Sequence, residues 1–317
     1  MLEVLLVPIG LQVVLPVGLL LWLTLRRHPS LAAWTLAVAL TTSVIALLAV
    51  AGLWLLLPWY APGIYGLLLI PAAVFSLKPV LRMRSLWPRG AGGWAGASLR
   101  GALATLAAVT ALYAVSGRRT PAESVDVAFP LRQGVYLVVN GGSIELLNAH
   151  LMTLSGERFR PYRGQSYGVD IVRVDRWGRR AAGLQPRDPA AYRIFGDSVF
   201  APCTGRVIAV LDGLPDQLVP EVDRAHMAGN HVLLACDTVH VLLGHLQQGS
   251  VRVGIGSVVG TDTLLGRVGN TGNTGEPHLH IHVQRAGTTA MPLSGEPLAI
   301  RMNGRYPVRN LRFTERR

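Results

Sequence analysis

The chain has 317 residues, of which 50% are hydrophobic and 15% charged, with a mean hydropathy of +0.37. That balance excludes a disordered chain and an ordinary water-soluble globule. The formal charge of +12 is uneven: residues 1–120 hold one acidic residue, Glu3, against nine basic ones, whereas residues 121–317 hold 17 acidic and 21 basic ones. Most of the excess therefore reads as a membrane-orientation signal, and nucleic acid is not an expected partner. Lys78 is the single lysine among 30 basic residues, a compositional bias from which no function follows.

Four apolar runs come first, at 4–25, 31–57, 61–77 and 99–115, the last with Arg100 near its start. Each approaches the ~20 residues that cross ~30 Å of hydrocarbon, so residues 1–117 are predicted to form four transmembrane helices in contact with the lipid bilayer. Pro8, Pro16 and Pro71 fall inside these runs, where neighbouring helices can re-satisfy the freed backbone groups. The first run reads as a retained helix rather than a cleaved leader, because Met1-Leu2-Glu3 carries no positive charge and Arg26-Arg27 follows. Arg26 and Arg27 mark the first loop, and Lys78, Arg82, Arg84, Arg89 and Arg100 the third, while the second, around Trp59-Tyr60, has no basic residue. The positive-inside rule then puts both termini and everything after the fourth helix outside the cytoplasm of a multi-pass membrane protein; Arg118 and Arg119 are outvoted. Trp54, Trp59 and Tyr60 are expected at the outer interface. No ionisable residue stands mid-run, so this half is read as an anchor and not as an ion path.

A polar, Pro-containing linker is expected at 118–126, and residues 127–317 change pattern to short apolar runs broken by Gly, Pro and Asp. Strands are predicted at 135–139, 167–174, 205–212, 230–236, 239–246, 264–269 and 279–284, which indicates a mostly antiparallel β domain. Eight of the nine histidines lie here, and His278, His280 and His282 alternate in "PHLHIHV" after the Gly-rich "GNTGNTGEP". With a side-chain period of two, all three project from one strand face. That pattern suits one bound metal beside a free imidazole.

The segment "VRVGIGSVVGTDTLLGRVGNTGNTGEPHLHIHV" (251–283), with "VLLGHLQQGSV" (241–251), "GQSYGVDIV" (164–172) and "VFAPCTGRVIAV" (199–210), resembles the lysostaphin/LytM-type peptidoglycan zinc metallopeptidases. The resemblance covers roughly 135–285 and implies a duplicated hybrid/barrel-sandwich type of fold and one Zn2+. It further implies Asp170 and His280 as ligands, with His245 and His278 as the catalytic histidines. Its first ligand position, four residues before Asp170, is Ser166 here, and a serine hydroxyl is a poor zinc ligand. Relatives with Gln-x-Tyr-x-x-Asp carry an upstream Asn-x-His, which Asn148-Ala149-His150 matches, so His150 is the expected third ligand if 151–166 folds back as a loop. His282 stands where the family commonly has Glu and is the weaker alternative ligand or a partner behind one. His226, His231 and His240 match no motif and are read as surface or packing residues.

Three protein ligands leave a fourth zinc position for a water whose pKa falls to about 7. The resemblance thus implies a membrane-anchored zinc endopeptidase acting on peptidoglycan peptides. The alternative is a catalytically inert domain of the same fold that binds peptidoglycan or regulates another hydrolase. Cys203 and Cys236, the only cysteines, are equally compatible with a disulfide and with two buried thiols. The topology is checked by fusing a reporter after Arg317: it is expected to be active only outside the cytoplasm, and a reporter active only inside contradicts the orientation.

Overall fold

The computed structural model describes residues 2–286 and 291–315; the expected domain limits at 1 and 317 lie outside them. The chain divides into two compact units, Met1–Ser116 and Gly117–Arg317. In the first unit α1 (Leu2–Ile9) runs through a π-helical stretch (Gly10–Val14) into α2 (Leu15–Leu25), followed by α3 (Leu31–Ala51), α4 (Ala61–Met83) and α5 (Gly90–Ser116). Four helical spans in it are long and apolar enough to cross a membrane.

The boundaries differ from the expected runs for identifiable reasons. The second helix stops at Ala51 instead of 57, because Gly52 turns to an extended conformation (φ −61°, ψ 140°). The irregular segment after it is satisfied from the first span: Gln12 Nε2 donates to the Leu53 carbonyl at 2.8 Å, and the Leu56 and Leu57 amides donate to Gln12 Oε1 at 3.2 and 2.8 Å. Tyr65 Oη donates to the Gln12 carbonyl at 2.7 Å. In hydrocarbon each unpaired backbone group costs ~2–7 kcal/mol, so one glutamine in a π-helical turn makes a non-helical connection tolerable. Trp54, expected at the outer interface, is 2% exposed, and its Nε1 donates to the Leu48 carbonyl. The third and fourth helices outrun their apolar runs, past Lys78 and Pro79 to Met83 and back to Gly90. A hydropathy reading stops at charges that a helix end can carry by extending long side chains to the interface. Along α5 the buried positions are Ala97, Ala104, Ala107, Ala111 and Ala114, small residues at a near-heptad period that allow close helix packing.

The second unit holds β1 (Ser124–Val127), β2 (Gly134–Asn140), β3 (Val169–Val174), β4 (Ser198–Phe200), β5 (Gly205–Leu211), β6 (Asn230–Cys236), β7 (Val239–Leu246), β8 (Val258–Val259), β9 (Leu264–Arg267), β10 (Leu279–Arg285), β11 (Pro297–Met302) and β12 (Arg312–Glu315). The main sheet runs β12-β2-β3-β10-β7-β6-β5-β8, β11 pairs with β10, and β4 and β9 form a separate pair. Among the described residues all strand pairings are antiparallel except β1 with β11. β1 begins inside the expected 118–126 linker and ends at Val127, where the alternation of Ser124-Val125-Asp126-Val127 is a strand pattern too short to stand out. The strand expected over 205–212 is β5, and the 199–210 segment of the resemblance is divided between β4 and β5, with Pro202 in the break.

One sheet face carries the main core, including Ile171, Val232, Leu234, Val241, Leu243, Leu279, Ile281 and Val283. The other face of β10 carries His280, His282 and Gln284, all buried. Residues 151–166, expected as a loop, fall largely within two 3-10 helices, Ala149–Thr153 and Glu157–Gln165. The second of these and residues 292–295 meet at that polar face: the Gly164 amide donates to the Leu293 carbonyl, while Gln284 Nε2 donates to the Pro292 carbonyl and its Oε1 accepts from the Gly295 amide. A smaller cluster, Ala228, Leu233, Leu242 and Leu293 with Tyr162 and Met227, packs beneath.

Cys203 and Cys236 are joined as a disulfide with Cα atoms 6.2 Å apart, closing a separation of 33 residues. Free-thiol titration of the unfolded, unreduced chain is expected to find none, whereas two thiols per chain would contradict the pairing. Replacing both cysteines by alanine is expected to remove about 4 kcal/mol of stability by freeing the unfolded chain from its cross-link, read as a lower Tm.

Candidate metal centre

Strand register assembles the centre. Asp170 of β3 and Gly244 of β7 both lie opposite His280 of β10, so Asp170 and His280 share one face. Strict alternation would send the next residue of β7, His245, to the opposite face, but its φ of 59° takes it out of the β region. Its ring then lies 4.7 Å from His278 and 5.8 Å from His280, between centroids. His150 enters from the first 3-10 helix, 4.9 Å from the His280 ring.

Gly168 makes room for this approach. A Cβ there would stand 2.7 Å from His280 Cε1 and 3.4 Å from His150 Cγ.

The donor atoms converge on Asp170 Oδ1, with His280 Nδ1 at 2.9 Å, His278 Nε2 at 3.4 Å and His150 Nε2 at 3.6 Å. The other carboxylate oxygen is occupied, since Asn140 Nδ2 donates to Asp170 Oδ2 at 2.9 Å. His150, Asp170 and His280 each offer one ligand atom, all within 4.8 Å of one another. A tetrahedral ion ~2.0–2.1 Å from each ligand separates them by ~3.3–3.5 Å, so this set fits zinc.

The tautomers agree with that fit. Asn148 Nδ2 donates to the Gly142 and Gly168 carbonyls, which leaves Asn148 Oδ1 as an acceptor 3.0 Å from His150 Nδ1. His150 Nδ1 must then carry the proton, and Nε2 presents its lone pair to the centre. His245 Nδ1 donates to the Thr271 carbonyl at 2.8 Å and His278 Nδ1 to the Glu276 carbonyl at 2.9 Å, so both also present Nε2 inward. His280 Nε2 lies 3.0 Å from His282 Nδ1. With that contact donated by His280, its Nδ1 faces Asp170 as a second acceptor, an arrangement that calls for a cation between them.

Protonation follows burial. Loss of hydration pushes His150 down to about 4 against the pull of the Asp170 carboxylate, leaving it neutral at pH 7. His245 is likewise held well below the usual imidazole range by burial and then by His278. Burial also disfavours the charged form of His278, but the adjacent Asp170 carboxylate outweighs it and raises this pKa. Burial alone would raise Asp170; the surrounding histidines, His150 and His278 first, hold it well below the carboxylate range.

Ser166 is buried but turned away: its Oγ donates to the Arg163 carbonyl at 2.7 Å and lies 2.9 Å from Thr153 Oγ1, which donates to the His150 carbonyl. His282 sits behind His280 and does not join the converging set. His226 is half exposed and paired with Asp223, His231 is buried against the Gly229 carbonyl, and His240 lies on β7 away from the centre. Sequence reasoning missed Asn140 and Thr271. Asn140 ends an apolar strand just before Gly141-Gly142, a weak signal, while Thr271 acts through its backbone.

A cavity of about 680 Å³ opens over these groups, lined also by Met152, Phe159, Tyr162 and Met227. It is roomy enough for several residues of an extended peptide.

The chain is similar to parts of several known proteins. The catalytic domain of lysostaphin from Staphylococcus simulans is similar at 19% identity, with 39% of this chain and 71% of that one covered and a TM-score of 0.26. A zinc-containing peptidase from Vibrio cholerae is similar at 20% identity over 37% of this chain and 46% of that one, TM-score 0.23. Csd3 from Helicobacter pylori is similar at 19% identity over 46% and 28%, TM-score 0.25. The chain thus spans less than half the length of the latter two. No curated protein matches it. Residues 191–292, which carry His245, His278, His280 and His282, match the sequence profile of Peptidase family M23, so the chain contains a Peptidase M23 domain to which Asp170 and His150 lie N-terminal.

Proposed function

We propose that this chain is a membrane-anchored zinc endopeptidase that hydrolyses peptide bonds in cell-wall peptidoglycan, with its β domain outside the cytoplasm. The observation that carries the reading is the third donor: His150 Nε2 lies 3.6 Å from Asp170 Oδ1, where the Ser166 hydroxyl offers nothing. The M23 domain and the neutral, inward-facing His150 imidazole support it. The disulfide supports an oxidising compartment.

His150, Asp170 and His280 would hold the ion. Bound there, zinc supplies Lewis acidity and a water acidified toward neutral pH. His245 and His278 do the proton work. Each keeps its Nδ1–H on a backbone carbonyl and offers Nε2 to the cavity, so each can take or return a proton at Nε2 without losing its orientation. A protonated Nε2 can also donate to a developing oxyanion. The walls of Met152, Phe159, Tyr162 and Met227 would hold an extended peptide against these groups and exclude part of the water.

The inert peptidoglycan-binding reading rests on Ser166 at the first ligand position, and one set of measurements separates the two. The detergent-solubilised full chain is expected to bind about one zinc per chain and to cleave peptidoglycan peptides in a chelator-sensitive way. His150→Ala should cost metal affinity about as much as His280→Ala, and Ser166→Ala little. His245→Ala and His278→Ala should keep the zinc while lowering kcat by about 100-fold or more. A folded chain that takes up no zinc and cleaves nothing contradicts the hydrolase. Ser166→Ala emptying the site while His150→Ala leaves it full reverses the ligand assignment.

A further inference from the structure

We propose that the buried ion pair between Arg180 and Glu276 is a positioning device for His278, so that Arg180 governs turnover without touching substrate or metal; this rests on the hydrolase reading above. Arg180 lies in the excursion between β3 and β4, N-terminal to the matched M23 domain, and Glu276 in the turn just before His278. Arg180 Nε donates to Glu276 Oε1 at 2.8 Å and to Oε2 at 3.1 Å, and Nη2 donates to Oε2 at 2.8 Å. Their side chains are only 9% and 18% exposed.

The arginine is fixed from behind. The Arg193 amide donates to the Arg180 carbonyl and the Ala182 amide to the Ala191 carbonyl, both at 2.9 Å, which makes the excursion a short antiparallel ladder. The buried Tyr192 ring lies 5.7 Å from Arg180 Cζ.

On the other side the same glutamate reaches the histidine through its backbone. The Glu276 carbonyl accepts from His278 Nδ1 at 2.9 Å and from Thr274 Oγ1 at 2.7 Å, and Thr274 Oγ1 is 3.1 Å from that ring nitrogen. Held there, His278 Nε2 points to Asp170 Oδ1 at 3.4 Å. The turn between Asn270 and Pro277 has no regular structure and contains Gly272 and Gly275, so its path depends on such side-chain ties.

Stability alone does not account for the pair. A buried ion pair gains little over well-packed apolar residues of the same volume. What the planar guanidinium fork adds is direction, because both carboxylate oxygens are oriented at once. Fixing the plane of the carboxylate fixes residue 276, and with it the carbonyl that sets the tautomer and tilt of His278.

The test compares Arg180→Gln and Arg180→Lys with the wild-type full chain in detergent, alone and combined with His278→Ala. Arg180→Gln is expected to lower kcat by about 10- to 100-fold, as a misplaced catalytic group does, with KM and zinc content close to wild type. Arg180→Lys keeps the charge but loses the fork, so an intermediate loss is expected. In the His278→Ala background Arg180→Gln should cost less than about 2-fold more, since two residues acting as one unit are not additive. Wild-type kcat in both Arg180 variants, or the full loss repeated on top of His278→Ala, overturns the proposal.

A readout independent of turnover covers a variant that folds poorly and a wild type that cleaves nothing. In 15N-histidine spectra of the wild type and the milder Arg180→Lys, the His278 Nδ1–H signal is identified by its absence in His278→Ala. It is expected to be protected from exchange in the wild type and to lose protection in Arg180→Lys, whereas unchanged protection overturns the proposal. Absence of cleavage by a zinc-loaded wild type counts against the hydrolase reading instead.

Discussion

A carboxylate taken out of water costs several kcal/mol unless charges and hydrogen bonds replace its hydration, and Asp170, 5% exposed, is where this chain meets that cost. One oxygen is satisfied by Asn140, and the other is surrounded by three imidazoles from separate parts of the chain. Those contacts depend on the register that sets Asp170 against His280. A one-residue slip would turn either side chain into the apolar core on the opposite face. The arrangement around Asp170 is a charge waiting for a cation, and the neutral state of His150 is what a ligand needs.

The covering 3-10 segment answers a second requirement of the same centre. A polar strand face with His280, His282 and Gln284 cannot stay buried without partners, and residues 149–166 supply both the lid and the third donor. Asn148 orients His150, Thr153 and Ser166 tie the two short helices together, and Gly168 leaves space for both rings. On the proposed assignment the displaced first ligand is one solution with several parts: with His150 as the donor, the Ser166 side chain is left to brace the segment. The first unit solves its own polar problem in the same spirit, with Gln12 capping the break after α3.

Much of this was legible in the chain itself. The alternation of His278, His280 and His282 and the spacing of motifs around Asp170 and His245 are local patterns, as are the four apolar runs. His150 was legible through Asn148-Ala149-His150, although it lies 20 residues from Asp170. What could not be read arises from contacts between distant residues: Asn140 reaches Asp170 only through a strand pairing with a shifted register, and Arg180 meets Glu276 across 96 positions. The turn of His245 out of its strand is a backbone feature with no glycine to announce it. Helix ends at Ala51 and Gly90 were missed because hydropathy reports where residues are apolar, not where backbone hydrogen bonds continue.

The central claim is that His150 replaces the missing first ligand. It is tested most directly by locating the metal through anomalous scattering at the zinc edge in crystals of the zinc-loaded full chain. The account expects one ion about 2.0–2.2 Å from His150 Nε2, Asp170 Oδ1 and His280 Nδ1, with Ser166 Oγ outside bonding distance. An ion bound to Ser166, to His282 or to His278 in place of His150 would contradict it.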